Sequence, residues 1–221
     1  MYNVGLIRVL TVDDEEALNL HGAIIQEYLP QLRVISRCIP DQPCGIYDAC
    51  TEREAIPKIL QAGKDLRDEG VMALIVSCAA DPGVQALRRQ VSIPVIGAGS
   101  AGASVALALG GPVGVLGITG EAPEAMARVL GQNLAGVARP EKVKTTLDLQ
   151  AGGALEEVER AARGLVEGGA RSIALACTGM TTCGAASHLA KRIDAPVVDP
   201  VLAAALAAYS AVVTRGLGGK A

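Results

Sequence analysis

Apolar runs rich in Val, Ile and Leu alternate with segments of helical periodicity along all 221 residues of the chain. Such runs predict buried strands, and the periodic segments between them predict amphipathic helices. The predicted strands are Val4–Val12, Leu32–Cys38, Val71–Cys78, Pro94–Ile96, Val113–Thr119, Lys142–Thr146, Arg171–Cys177 and Pro196–Val198. The predicted helices are Glu15–Tyr28, Glu52–Asp68, Pro82–Gln90, Ala122–Leu130, Leu155–Glu167, Cys183–Arg192 and Val201–Arg215. This alternation is typical of an α/β fold with mainly parallel sheets flanked by helices.

An internal repeat refines this prediction. The segment Gly70–Cys78 matches Gly169–Cys177 without a gap, and both copies end at a cysteine. Each copy continues into a predicted helix and then a short strand with proline, Ile93–Ile96 in one copy and Ala195–Val198 in the other. A repeated α/β unit indicates two pseudo-symmetric lobes.

We expect the active site in a cleft between these lobes, at the carboxyl ends of the strands. The first lobe is expected to comprise residues 1–96 and 200–221, and the second lobe residues 97–199.

Composition narrows the possible partners and location. The net charge is -3, and Phe and Trp are absent, which disfavours nucleic-acid binding and base stacking. The N-terminus lacks a signal-peptide pattern, Val91–Gly111 is broken by Pro94 and glycines, and Val201–Val213 is too short to span a bilayer. We therefore expect a cytoplasmic protein without membrane association, whose six cysteines stay reduced.

Two cysteines carry the candidate chemistry. Cys78 and Cys177 end equivalent predicted strands, each before a helix whose N-terminal N–H groups favour a thiolate. This position is expected to lower the thiol pKa from about 8.5 toward neutrality. One thiolate could then remove a proton from a carbon while the opposite thiol returns one to the other face. The alternative is that both are small buried hydrophobes.

Such a reaction passes through a carbanion, so the substrate should carry a carbonyl beside the reacting carbon. The N–H groups of Ala79, Ala80, Thr178 and Gly179 follow the two cysteines and could stabilise the oxyanion. No metal or cofactor is then required.

The residues around both cysteines also resemble a known family. Ser77–Gly83 reads Ser-Cys-Ala-Ala-Asp-Pro-Gly and Ala176–Met180 reads Ala-Cys-Thr-Gly-Met. These segments resemble the cysteine motifs of the aspartate/glutamate/hydantoin racemase superfamily, closest to its hydantoin/allantoin branch. The resemblance implies a cofactor-independent two-base racemase of a hydantoin or related amino-acid derivative, with Cys78 and Cys177 as the catalytic pair. The acidic turn Leu10–Glu15 departs from the Asn-Pro-Asn-like turn of that branch.

Further substrate contacts are expected where other strands end. Thr11 and Thr119 follow the first strands of the two halves, and Gly45 and Tyr47 lie in a predicted long loop, Ile39–Thr51. The expected substrate-binding residues are Thr11, Ala79, Ala80, Asp81, Thr119, Thr178, Gly179, Gly45 and Tyr47. Asp14 is the expected N-cap of the first helix.

The remaining candidate ligands are not expected to form a metal site. Cys38, Cys44 and Cys50 are separated by five residues each, which is not a zinc spacing. His21 and His188 fall within predicted helices and are expected on helix surfaces.

Other functions remain open at this point. An aspartate/glutamate-type racemase and a maleate cis–trans isomerase use related chemistry, and a two-lobed non-catalytic binding protein belongs to a different class. The Gly/Ala-rich helices also suggest a homo-oligomer.

Overall fold

A computed structural model describes residues 1–218 of the chain. The chain divides into two compact units, Met1–Gly97 with the segment from Ala204 onward, and Ala98–Ala203. Residues 219–221, the end of the expected first lobe, lie outside the described residues. No helix in the described part has both the length and the apolar character that crossing a membrane requires.

The first unit contains a four-stranded parallel sheet with the strand order β2-β1-β3-β4. Its strands are β1 (Tyr2–Arg8), β2 (Leu32–Cys38), β3 (Ala73–Ser77) and β4 (Val95–Gly97). Its helices are α1 (Glu15–Tyr28), α2 (Ala49–Asp68) and α3 (Val84–Arg88). The Asp14 carboxylate accepts the Ala17 N–H at 2.7 Å, which confirms the predicted cap of α1.

The second unit repeats this topology with the order β6-β5-β7-β8, again all parallel. Its strands are β5 (Val113–Leu116), β6 (Leu134–Ala138), β7 (Ser172–Leu175) and β8 (Val197–Val198). Its helices are α4 (Ala98–Leu109), α5 (Glu124–Leu130), α6 (Ala154–Glu167), α7 (Gly179–Thr182) and α8 (Ala185–Leu189), with short 3₁₀ helices at Gly131–Asn133 and Thr146–Gln150. Helix α9 (Pro200–Gly218) starts in this unit and continues into the first. The predicted α/β class with two parallel sheets is confirmed.

The same backbone motif leads into β3 and β7. Gly70 and Gly169 have φ values of +85° and +98°, a conformation that glycine adopts without steric cost. The residue after each glycine donates back to the helix: the Val71 N–H donates to the Leu66 carbonyl, and the Ala170 N–H donates to the Leu165 carbonyl. Both turns are Schellman motifs, which end α2 and α6 and redirect the chain into the sheet.

Each unit buries its own apolar cluster. In the first unit, Ile7, Leu74 and Leu66 are fully buried between sheet and helices. In the second, Leu116 and Leu175 have the same role. These clusters hold the strands whose ends carry the candidate residues.

The strand predicted at Lys142–Thr146 is wrong, since the edge strand of the second sheet is β6 at Leu134–Ala138. Asp148 explains the difference, because its carboxylate accepts the N–H groups of Lys144 and Thr145 at 2.9 and 2.8 Å. Donors used in this way are not available to a β-ladder. Val143 is buried, as an inward-facing strand residue would be, and its apolar side chain led to the wrong strand prediction.

Several other boundaries differ from the prediction, and for two of them the local sequence gives the cause. The helix predicted at Cys183–Arg192 is α8 alone, since Gly184 at φ +70° separates it from α7. The loop predicted over Ile39–Thr51 ends earlier, because Asp48 and Thr51 form a capping box that starts α2 at Ala49.

Candidate active site

The two candidate cysteines follow equivalent strands. Cys78 comes directly after β3, and Cys177 lies two residues after the last residue of β7. Parallel pairing brings the carboxyl ends of all strands of a sheet to one edge, where functional residues of open α/β sheets collect. Cys78 is half-buried, whereas Cys177 is only 6% exposed.

A hydroxyl and two backbone N–H groups lie near the Cys177 sulfur. Its sulfur is 3.5 Å from Oγ1 of Thr146, and the backbone N–H groups of Gly179 and Met180 favour its charged form, which lowers the thiol pKa. The Cys177 carbonyl accepts the Met180 N–H at 3.0 Å, which closes the turn between β7 and α7. These donors can stabilise a thiolate.

The expected fall in thiol pKa is wrong for Cys177. Burial raises the pKa of this thiol above its ordinary value, and the contacts from Thr146, Gly179 and Met180 only oppose that rise. Helix α7 has four residues, so little helix dipole is available to offset the desolvation of a charged sulfur. At neutral pH the resting form of Cys177 is therefore the neutral thiol.

The turn after Cys78 is tight. The Cys78 carbonyl accepts the Asp81 N–H at 3.1 Å, and Asp81 has φ +55°, which is unusual for a residue with a side chain. The Asp81 carboxylate lies directly over Gly97, where an added Cβ would be 2.2 Å from it. Ala79 is buried, while Ala80 is partly exposed. Cys78, Ala79 and Asp81 thus belong to one compact turn.

Thr11 anchors the segment that follows β2. Its hydroxyl donates to the Ile39 carbonyl and accepts the Gln42 N–H, both at 2.7 Å. Gln42, which is 4% exposed, continues the network by donating to the carbonyls of Gly45 and Thr51. Thr11 and Gly45 are therefore joined through Gln42, and Tyr47 is exposed beside them. Their contact with a ligand stays a prediction.

The remaining expected contacts lie in the second unit. Thr119 is exposed, and its hydroxyl donates to the Glu121 carbonyl at 2.9 Å. Thr178 is partly exposed, and Gly179 is buried against Thr146. The structure thus groups Cys177, Gly179 and Thr146 in the second unit.

His21 lies in a helix as expected, but its predicted surface position is wrong. It is 1% exposed, and its Nδ1 is 2.9 Å from Oγ of Ser77, the residue before Cys78. The face of helix α1 that carries His21 packs toward the sheet. The amphipathic pattern does not predict this, because a histidine occurs on either face of such a helix. His188 is partly buried, with Nε2 3.0 Å from Glu159 Oε2.

Sequence reasoning missed three residues that organise these sites. Thr146 contacts the Cys177 sulfur, Gln42 ties the segment after β2 to α2, and Asp199 accepts the Thr181 hydroxyl at 3.0 Å. The internal repeat could have indicated Thr146, since it follows β6 as the Gln42 segment follows β2. The misplaced strand at 142–146 concealed that correspondence.

Comparison with known proteins identifies related sequences. A model of the Asp/Glu/Hydantoin racemase family matches residues 19–208. The chain is 30% identical over 146 residues to hydantoin racemase of Paenarthrobacter aurescens, covering 63% of this chain and 61% of that protein. It is 28% identical over 172 residues to hydantoin racemase of Rhizobium meliloti, covering 74% of this chain and 70% of that protein. The matched region is thus less than two thirds of the Paenarthrobacter protein.

A solved structure has the same fold. Allantoin racemase from Klebsiella pneumoniae superposes with a TM-score of 0.84 at 24% identity, covering 98% of this chain and 89% of that chain. This similarity extends the fold relationship beyond the region matched in sequence.

Proposed function

Because the chain belongs to the Asp/Glu/hydantoin racemase family, we propose that it racemises a hydantoin or a related amino-acid derivative without a cofactor. The reacting centre is the carbon next to a carbonyl. Cys78 and Cys177 are the two bases, one acting on each face of that carbon.

The observation that carries the proposal is the equivalence of the two cysteines. Both follow the third strand of a sheet, and the two sheets share one strand order. Racemisation needs a similar group on each face of the substrate, since proton removal in one direction is proton return in the other. Two copies of one structural unit supply that similarity.

The proposed reaction is a pair of proton transfers. The Cys78 thiolate takes the proton from the carbon, and the electron pair of the broken C–H bond moves onto the carbonyl oxygen. The Cys177 thiol then gives its proton to the opposite face as the carbonyl re-forms. The reverse reaction starts from the Cys78 thiol and the Cys177 thiolate. Proton exchange with solvent converts one pair of protonation states into the other between turnovers.

The backbone after each cysteine is the proposed oxyanion site. N–H groups of Ala79, Ala80 and Thr178 are donors of the type that stabilises a developing oxyanion. The Gly179 N–H favours the charged form of Cys177, so its contribution goes to that thiolate.

The charge of the motifs favours a neutral substrate. Segments Ser77–Gly83 and Ala176–Thr182 contain no Lys or Arg. A free amino acid carries a carboxylate, which enzymes ordinarily bind with a cation or an array of N–H groups. A hydantoin ring is uncharged and requires no cation, so these segments suit it, and the choice of hydantoins over aspartate or glutamate rests on the similarity to hydantoin racemases.

Serine variants of the two cysteines test the mechanism. We expect C78S and C177S each to lower racemisation of 5-substituted hydantoins by roughly 10²–10⁴-fold, since a hydroxyl is a far weaker base than a thiolate. Polarimetry of single enantiomers measures the rate, and incorporation of solvent deuterium at the reacting carbon confirms proton exchange.

C50S is the matched control, because Cys50 is exposed in the first turn of α2. Wild-type turnover in C78S or C177S would contradict the two-base scheme. Turnover of aspartate, glutamate or maleate instead of hydantoins would contradict the substrate assignment. Ligand binding without any turnover would indicate a binding protein.

Two expectations accompany the proposal, a cytoplasmic location and self-association. Free thiols at all six cysteines suit a reducing compartment. Leu109 and Leu206 are exposed on the small-residue helices α4 and α9. Light scattering on the purified chain tests self-association, and a monomer at all concentrations would contradict it.

A further inference from the structure

Thr146 reaches the Cys177 sulfur from a distant part of the chain. It opens the 3₁₀ helix Thr146–Gln150, and its Oγ1 lies 3.5 Å from the Cys177 Sγ although 31 residues separate the two. Cys177 is 6% exposed, so water supplies little solvation to this sulfur. The hydroxyl is therefore a main source of polar contact for the thiol.

The segment that carries Thr146 is anchored on both sides. Val143 and Leu149 are 1% and 2% exposed and belong to the apolar cluster of the second unit. Between them, the Asp148 carboxylate holds the N–H groups of Lys144 and Thr145. Thr146 cannot withdraw from Cys177 without disrupting these contacts, so its position is built into the fold.

Gly179 sets the orientation of the Thr146 side chain. A Cβ added at Gly179 would lie 2.3 Å from Cγ2 of Thr146, so the methyl group occupies the space that a larger residue would need. A β-branched side chain has few accessible χ1 rotamers. With the methyl against Gly179, the hydroxyl points toward the sulfur.

A hydroxyl suits a thiol that alternates between two protonation states. It can donate a hydrogen bond to the thiolate and accept one from the neutral thiol. The bond to the thiolate is the stronger of the two, because hydrogen bonds to charged groups exceed neutral ones. Burial penalises the charged state of Cys177, which makes that bond more valuable here.

We propose that Thr146 is a positioning residue for the acid/base chemistry of Cys177, with its hydroxyl stabilising the thiolate and its methyl group seated on Gly179. This inference rests on the proposed function, in which Cys177 exchanges a proton with the substrate. It assigns a role to a residue outside both cysteine motifs.

Removing only the hydroxyl tests the proposal in catalysis. In the direction in which the Cys177 thiol is the acid, we expect T146V to lower kcat roughly tenfold or more, with KM changed less than about twofold, because the lost bond is to the negative charge that develops on this sulfur. Both enantiomers must show the same loss in kcat/KM, because the equilibrium constant of racemisation is one. T146S retains the hydroxyl and should stay within about threefold of the wild type.

The second readout does not depend on turnover. The ultraviolet absorbance of the Cys177 thiolate is obtained by subtracting the spectrum of the matching C177A variant at each pH. In T146V, thiolate formation should move to higher pH than in the wild type, while T146S should titrate as the wild type does. T146A serves as a second hydroxyl-free variant if T146V does not fold.

T214V is the matched control, since it removes the hydroxyl of an exposed threonine of α9 that donates to the Ser210 carbonyl. It should change neither kcat nor the titration. A wild-type kcat or a wild-type thiolate titration in both T146V and T146A would overturn the inference. If C177S keeps full activity, the proposed function fails, but the thiolate titration still reports whether Thr146 stabilises the anion.

Discussion

The Cys177 sulfur combines two opposing influences. Burial holds it in the neutral form, while Thr146 and two backbone N–H groups favour the anion. A group that both donates and accepts a proton in a racemisation must be able to form the thiol and the thiolate. Burial and hydrogen bonding should therefore partly offset each other in their effects on the Cys177 pKa. The local geometry depends on Gly179, because any larger residue there would collide with Thr146.

Replacing Gly179 by alanine should therefore damage the site. The new Cβ would lie 2.3 Å from Thr146 Cγ2 and 3.1 Å from Leu149 Cδ1. We expect G179A to lose about 1–3 kcal/mol of unfolding free energy through overpacking, together with most racemase activity. Urea denaturation and polarimetry measure the two effects.

Gly164 provides the control for this substitution. It lies in α6, and a Cβ there would meet nothing within 4 Å. G164A should gain about 0.5–1 kcal/mol through helix propensity and keep its activity. Equal stability and activity in G179A and the wild type would show that Thr146 moves aside without consequence.

Helix α9 begins with a buried carboxylate. Oδ1 of Asp199 accepts the N–H groups of Val201 and Leu202 at 2.9 and 3.0 Å, and also the Thr181 hydroxyl. Thr181 lies in α7, so this one oxygen connects the start of α9 to the turn that follows Cys177. Burial raises the pKa of Asp199, which means that the charge itself costs stability.

An amide at position 199 should preserve the cap without the charge. Because a single oxygen accepts all three bonds, we expect D199N to match or exceed the wild-type unfolding free energy at neutral pH. A raised pKa means that the folded state binds the proton more tightly than the unfolded chain. Wild-type stability relative to D199N should therefore rise as pH falls through the folded-state pKa, and level off below the ordinary value of 3.8.

Denaturation at a series of pH values gives this comparison. D199A is the contrasting variant and should lose about 1–3 kcal/mol, since it removes the cap and leaves the Thr181 hydroxyl without this acceptor. A D199N protein that is less stable than D199A would contradict the account.

The chain as a whole consists of two units with the same strand order, and each unit buries an apolar cluster of its own. The chain passes from one unit to the other after Gly97, and helix α9 returns to the first unit after Ala203. A core of its own allows each unit to open locally, and helix α9 contributes residues to both units.

Truncation of one core leucine in each unit tests whether the units open independently. Leu74 and Leu175 are fully buried in β3 and β7. We expect L74A and L175A each to cost about 2–5 kcal/mol. Hydrogen exchange should increase mainly in β1–β4 for L74A and mainly in β5–β8 for L175A. Equal increases in both sheets for each variant would contradict independent opening.

Much of the fold was accessible from local patterns. Alternating strand and helix periodicities, the repeated segments that end at Cys78 and Cys177, and the Asp14 cap all depend on residues near each other in the chain. Strand and helix type follow from side-chain periodicity, and the repeat identifies equivalent strand ends without any knowledge of packing. These features suffice for the class and the candidate cysteines.

Other features depend on contacts across the chain. The Thr146 hydroxyl reaches Cys177 across 31 residues, His21 reaches Ser77 across 56, and Thr181 reaches Asp199 across 18. Such contacts depend on how helices and turns pack onto a finished sheet, and no local periodicity encodes them. The pKa of Cys177 belongs to the same group, because desolvation is a property of the surrounding fold and not of the motif.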